Sequence, residues 1–370
     1  MKLLLIGPCP PPITGNSIIN DAIIHNFSQY HPDIKVDFIN VGTPTVENRF
    51  GKVNLKKLFI YLSQYRSMHK IFFADVITVS VGHTFLGILK YLPFFLLSKL
   101  SAKQLVVHVH TDFLWIMFKD APPWKRYVLT AVMGLVDKGI VLSPVLRRNL
   151  RPFMKDDHIY ELPNFISASL LEHDLSTTLA EKKQHHMSIL FLSNLFKEKG
   201  IIDFLEAMLI LKKRNLDFEV HIAGDIPVYM RAEIDRYFEK IQDILHYHGI
   251  VTGDKKKAIF LQTNIFVFPT HNEAQGIVLL EAMATGNIIL STNVGGIPDI
   301  FVADKNGFTV ESNNPTQIAD IILSLQEKRK EADLDRMLRE NYTEVAQKYT
   351  EEKFFKNLHK IIMDKSCGIT

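Results

Sequence analysis

Short β-rich runs alternate with longer helical patterns along almost the whole chain, and this alternation limits the possible folds more than any other feature. In the first half, Leu3–Ile6, Val36–Val41, Val76–Val81, Leu105–Val109 and Gly139–Leu142 are brief, largely apolar runs bounded by polar residues or glycine, as buried strands are. Between them apolar residues recur at helical spacing. Ile18, Ile19, Ala22, Ile23 and Phe27 do so after a cap at Thr14 or Asn16, and Leu55, Leu58, Phe59 and Leu62 do so again. Strand, helix and strand in repeated succession predict a parallel sheet with helices on both faces.

The pattern stops after Pro163-Asn164. Residues 167–186 gather polar side chains and end in Lys182-Lys183-Gln184-His185-His186, a composition that suits an interdomain connection. A second α/β pattern follows, with strands expected at Ile189–Leu192, Glu219–Ala223, Ile265–Phe268, Ile288–Leu290 and Phe308–Val310 and helices at Ile201–Arg214 and Gly276–Ala284. The expected architecture is α/β, with two Rossmann-like doubly wound domains facing a central cleft: residues 1–170, a linker at 171–187, and a second domain at 188–349. Open parallel sheets bind ligands beyond the carboxyl ends of their strands, so the two rims are expected to supply one site. Tyr342–Met363 reads as a long amphipathic helix or helix pair, and 350–370 is expected to pack back on the first domain.

A chain of 370 residues, 47% hydrophobic and 22% charged, fits two globular domains and excludes disordered, collagen-like and coiled-coil classes. Cys9 and Cys367 lie far apart, with no zinc-site or disulfide spacing, which gives a reducing, cytoplasmic location as the expectation. Met1–Ile6 is too short for a signal-peptide core, and Phe85–Leu97 is interrupted by Lys90 and Pro93 and falls short of the ~20 residues a membrane span needs. Net charge is +3, but residues 1–170 hold 19 Lys and Arg against 11 Asp and Glu, while the rest hold 24 against 29. A basic first half suits an anionic membrane face or a phosphate-bearing ligand. A nucleic-acid partner is not expected, since dense basic runs with a recognisable motif are missing.

Three stretches could carry chemistry. Gly7-Pro8-Cys9-Pro10-Pro11-Pro12-Ile13-Thr14-Gly15-Asn16-Ser17 joins the first strand to the first helix, and Gly15 permits close backbone contact where a helix N-terminus offers N–H groups to an anion. It is neither the glycine pattern of a dinucleotide fold nor a Gly-Lys-Ser/Thr phosphate loop, which disfavours a nicotinamide-dependent oxidoreductase. In Val106-Val107-His108-Val109-His110 the two histidines share one side of a strand, and His110 is nearer the carboxyl rim, where a neutral imidazole can meet a sugar hydroxyl. In Phe268 to Gly286, Glu273 falls in the loop after a strand and Glu281 about one and a half turns into the next helix, with Gly276 and Ile277 turning N–H groups toward a ligand. A tight turn, a structural histidine, and one exposed plus one capping glutamate are the plain alternatives.

Taken together these residues resemble the retaining glycosyltransferases of the GT-B fold called family 4. The resemblance covers nearly the whole chain. It is carried by Glu273 and Glu281 with Ala282-Met283-Ala284-Thr285-Gly286, by Val294-Gly295-Gly296-Ile297-Pro298-Asp299, by Leu192-Ser193-Asn194-Leu195-Phe196-Lys197-Glu198-Lys199-Gly200, by Ala223-Gly224-Asp225, by Pro163-Asn164, and by Gly15 and His110. It implies that Glu281 holds the ribose hydroxyls of a nucleotide-sugar, Glu273 contacts the donor sugar, and Lys199 with the Gly15 and Gly276-Ile277 backbone offsets the diphosphate charge, His110 lying beside the transferring sugar. It also implies retention of anomeric configuration, with no metal ligands and no cofactor beyond the nucleotide-sugar substrate. The family often has Arg where this chain has Asn194, which leaves more to Lys199, with Lys197 as a substitute, and Ala274-Gln275 replaces a more usual Gly-Phe.

Other features are read as ordinary. Asp333-Leu334-Asp335 lies in a charged helical run, Lys255-Lys256-Lys257 reads as a solvated helix start, and His185-His186 lies in the linker. On the acceptor side, Phe85–Leu97 with Lys90, Lys99 and Lys103, together with Phe113–Trp124 and Lys125-Arg126, suits a basic, apolar surface at a membrane and hence a glycan or polyprenyl-diphosphate-linked acceptor. The competing readings are a sugar-nucleotide epimerase of similar fold and a non-catalytic scaffold.

Overall fold

A computed structural model describes residues 1–11, 13–42, 64–82, 84–328 and 331–364. The helix expected around Leu55–Leu62 and Cys367 lie outside them. The chain divides into two units, Met1–Asn164 with Glu352–Thr370, and Phe165–Glu351.

The first unit holds a six-stranded parallel sheet in the order β2-β1-β3-β4-β5-β6. Its strands are β1 (Lys2–Gly7), β2 (Lys35–Asn40), β3 (Val76–Ser80), β4 (Gln104–Val109), β5 (Lys138–Val141) and β6 (Ile159–Glu161). Leu3, Leu4, Leu5 and Ile6 are all buried, as a strand covered on both faces requires, which is why β1 reads as an unbroken apolar run. The helix Gly15–Tyr30 starts on a reciprocal cap: Ser17 N donates to Thr14 Oγ1 at 3.1 Å and Thr14 N to Ser17 Oγ at 2.9 Å. Buried Asn20 then ties the β1 loop to β3, donating to Pro8 O at 2.8 Å and accepting from Ser80 Oγ at 2.8 Å. The loop is thereby fixed between β1 and β3, where the strand order reverses.

The helix Glu351–Met363 packs largely in this same unit. Phe355 stacks on Phe27 with ring centroids 5.3 Å apart. Buried Lys138 donates to Ile361 O at 2.7 Å and to Asp364 O, placing a cation against carbonyls that a helix end leaves unsatisfied.

The second unit holds a parallel sheet in the order β12-β11-β10-β7-β8-β9. Its strands are β7 (Ser188–Leu192), β8 (Glu219–Ala223), β9 (Leu245–Tyr247), β10 (Ile265–Phe268), β11 (Ile288–Ser291) and β12 (Phe308–Thr309). Counted within the unit this is the doubly wound order with one reversal, between β7 and β10. The linker expected at 171–187 is corrected here. Leu175–Gln184 is a helix of this unit, Asp174 caps it at Ser176 N (3.1 Å), Leu179 enters the core, and buried Lys182 donates to Phe260 O at 2.8 Å. The polar composition had hidden two leucines four residues apart. The first unit's leading segment also ends at Asn164, not 170, because Ile166 N already donates to Tyr349 O at 3.0 Å in the second unit. Among the described residues no helix is long and apolar enough to cross a membrane.

Candidate active site

The reversal between β7 and β10 opens the sheet edge where ligands of doubly wound folds bind, and the loops that leave these two strands carry the charged residues of interest. The loops are stitched together. His271 N donates to Glu198 O at 2.9 Å and Thr270 Oγ1 to the same oxygen at 3.1 Å. His271 Nε2 lies 2.8 Å from Asp203 Oδ2, which also accepts from Asn313 N at 2.8 Å. On this frame Lys199 Nζ sits 2.8 Å from Glu273 Oε2, and Ala274 N donates to Glu273 Oε1 at 2.9 Å. The backbone at Glu273 is pressed from the β11 side: Gly296 N donates to Glu273 O at 3.1 Å, and a Cβ on Gly295 (φ 59°) would fall 1.8 Å from that oxygen. Only glycine fits there.

Glu273 leads into the helix Ile277–Ala284, whose N-cap, Gly276, has a φ of 80° and offers no side-chain cap. The first N–H groups of that helix, Ile277's included, are therefore not met by a capping side chain, and a ligand anion would complement them. Glu281 follows in the same helix and is 4% exposed. One of its oxygens, Oε1, is ion-paired with Lys256, and Oε2 is buried with no hydrogen-bond partner among the described residues. The reading of Lys256 as a solvated residue is corrected by this pair. The signal was absent from the sequence because Lys256 and Glu281 meet only through packing of the helix Gly253–Gln262 near the Ile277–Ala284 helix.

Asn194 and Gly224 shape the exits of β7 and β8. Asp225 N donates to Asn194 Oδ1 at 3.3 Å, Gly224 N donates to Gly249 O at 2.8 Å, and a Cβ on Gly224 (φ 143°) would meet Ser193 O at 1.9 Å. Lys199, Glu273, Gly276, Ile277, Glu281, Asn194 and Gly224 thus all belong to the second unit. Gly15 and His110 belong to the first, Gly15 exposed as the first residue of its helix and His110 just past β4. The His108 and His110 rings lie 3.8 Å apart, and both His108 nitrogens and His110 Nε2 are buried without a partner among the described residues. Burial pushes His108 well below the usual histidine range and His110 down to about 3, so both imidazoles are neutral near pH 7. Asp203, His271 and Gly295 were not assigned a role from sequence; Gly295 stood inside a quoted motif, while the Asp203–His271 pair joins residues 68 apart. Asp335 is engaged by Lys183 (2.7 Å) and Arg339 (2.8 Å) on a helix face, away from any strand end.

Residues 180–346 match the family described as Glycosyl transferases group 1. An uncharacterized glycosyltransferase of Methanocaldococcus jannaschii is 33% identical over 132 residues, 35% of this chain and 33% of that protein. The matched stretches span between a third and about half of the curated relatives' own length. A glycosyltransferase from Rickettsia africae superposes with a TM-score of 0.74 at 16% identity, covering 99% of both chains. Anabaena HepE, solved in complex with UDP and glucose, superposes with a TM-score of 0.72 at 14% identity, covering 97% of this chain and 98% of that one. The chain therefore has the GT-B fold, and its residues 180–346 are similar to the glycosyl transferases group 1 family.

Proposed function

We propose that the protein transfers a sugar from a nucleotide-sugar to a hydroxyl of a glycan or polyprenyl-diphosphate-linked acceptor, with retention of anomeric configuration. The observation that carries this reading is Glu281: a buried carboxylate oxygen without a partner, one helix turn beyond the N-terminus that would meet a phosphate. A ribose hydroxyl donating to Oε2 supplies the missing hydrogen bond. Glu273 takes the donor sugar. Lys199, held by Glu273, turns to the diphosphate together with the Gly276-Ile277 N–H groups, and in the first unit we assign Gly15 to the diphosphate and neutral His110 to the transferring sugar. The bond from the anomeric carbon to the diphosphate oxygen breaks, the acceptor oxygen bonds to that carbon on the same face, and its proton passes to the departing phosphate. The complex of HepE with UDP and glucose supports the donor class.

The test is turnover of a UDP-, GDP- and ADP-sugar panel with polyprenyl-diphosphate-sugar acceptors, reading nucleoside diphosphate release and the anomer formed. An α-linked product from an α-linked donor is expected, and loss of at least about a hundredfold in Glu273→Ala, the scale of a lost charge-stabilising group. An inverted product, or a donor isomerised without acceptor, would overturn the reading. For the acceptor side, Leu100 is 85% and Tyr127 78% exposed, and Lys125 Nζ lies 5.4 Å from the Phe85 ring and 5.5 Å from that of Trp124. This basic, apolar surface supports docking at the inner face of a cell membrane. The chain should float with anionic vesicles and lose that in Trp124→Glu with Lys125→Glu; equal recovery with neutral vesicles would contradict it.

A further inference from the structure

The opposite, outer edge of the second sheet carries a cluster of side chains that the donor site does not use. β9 is the edge strand, only three residues long, and pairs in parallel with β8 so that His221 stands opposite His246. Side chains alternate along a strand, so Glu219 and His221 share one face of β8, and His246 lies on the same face of β9. Ligand atoms of Glu219, His221 and His246 all lie within 4.8 Å of one another. Glu219 Oε2 is 3.6 Å from His221 Nε2 and 3.9 Å from His246 Nε2, and the two imidazoles stack with centroids 4.8 Å apart. On its other side, His221 Nδ1 lies 3.0 Å from His248 Nε2. With the proton on Nδ1 and donated to His248, His221 turns the lone pair of Nε2 toward a carboxylate oxygen. In that tautomer Nε2 and Glu219 Oε2 face each other as two electron-rich atoms, and a cation between them would satisfy both.

We propose that Glu219, His221 and His246 bind a divalent transition-metal ion, with His248 as the hydrogen-bond partner that fixes the tautomer and ring orientation of His221. Two imidazoles and one carboxylate suit Zn²⁺, which leaves a fourth position for water. Zinc bonds of about 2.0–2.2 Å need the ligand atoms somewhat closer together than they stand. Glu219 and His246 have side chains 48% and 50% exposed and are free to turn inward, while His221, at 11%, is the fixed point. The ion would staple the short edge strand to β8. It would also steady the exit of β8, because Tyr247 Oη donates to Gly224 O at 2.8 Å and Gly224 N to Gly249 O at 2.8 Å.

The experiment uses the full, tag-free chain stripped with EDTA and titrated with ZnCl₂ by calorimetry, with the visible spectrum of added Co²⁺ as a second readout. One ion per chain is expected at this cluster, with a tetrahedral Co²⁺ band and a raised Tm. His246→Ala and Glu219→Gln should each weaken binding by about tenfold or more, and His185→Ala with His186→Ala should leave it unchanged. Both His246 and Glu219 are surface residues, so circular dichroism of the metal-free variants should match the parent. Absence of binding to the parent, or undiminished affinity in both cluster variants, would overturn the proposal.

Discussion

A carboxylate oxygen buried without a hydrogen bond costs about 1–3 kcal/mol, and at Glu281 the ion pair with Lys256 is what makes the burial tolerable. Lys256→Met should therefore lower the stability of the second unit by about 3 kcal/mol. Adding Glu281→Gln to it should restore most of the loss, a coupling that a double-mutant cycle by urea denaturation measures. A double variant no more stable than Lys256→Met would contradict the account. At this scale the sequence was legible where chemistry follows chain spacing: Glu273 and Glu281, eight apart, fall where the strand-loop-helix pattern placed them. It was silent on Lys256 with Glu281 and on Asp203 with His271, since those pairs form by packing between elements distant in the chain.

Strands covered on both faces announced themselves as apolar runs, and β1, β3, β4, β5, β7, β8, β10 and β11 lie on the stretches expected of them, as do the less buried edge strands β2 and β12. β6 and β9 were missed for a common reason. Each is a three-residue edge strand, Ile-Tyr-Glu and Leu-His-Tyr, with too few buried positions to show a pattern. The C-terminal amphipathic stretch is two helices, Ala332–Lys348 and Glu351–Met363, broken at Tyr349-Thr350. Its last helix presents Phe354, Phe355, Leu358, Ile361 and Ile362 as one buried stripe. Phe355 is fully buried against Phe27, so Phe355→Ala should cost the first unit about 3–5 kcal/mol. Chemical denaturation checks this through the first unit's transition, and a change under about 1 kcal/mol would mean that the helix is dispensable to it.

At the scale of the whole molecule, acid stability and ligand binding separate the two units. His108 and His110 have folded-state values below the roughly 6.5 of an unfolded histidine, so the unfolded chain binds more protons as pH falls. Their contribution is fully present above about pH 6.5 and is lost as pH drops through the unfolded value toward the folded one, about 3 for His110. Stability of the first unit should fall between pH 6.5 and 4, by up to about 1.4 kcal/mol per pH unit for each histidine. His108→Leu should flatten that slope, and an unchanged slope would contradict the assignment. The second unit, which holds the residues that match the group 1 family, carries the central claim. The most direct measurement is calorimetric titration of the full chain with UDP-, GDP- and ADP-sugars beside Glu281→Ala. The account predicts that one nucleotide-sugar binds the parent and raises its Tm, with affinity falling about tenfold or more in the variant, as loss of a hydrogen bond to a charged group implies. Equal affinity in the parent and in Glu281→Ala would contradict it.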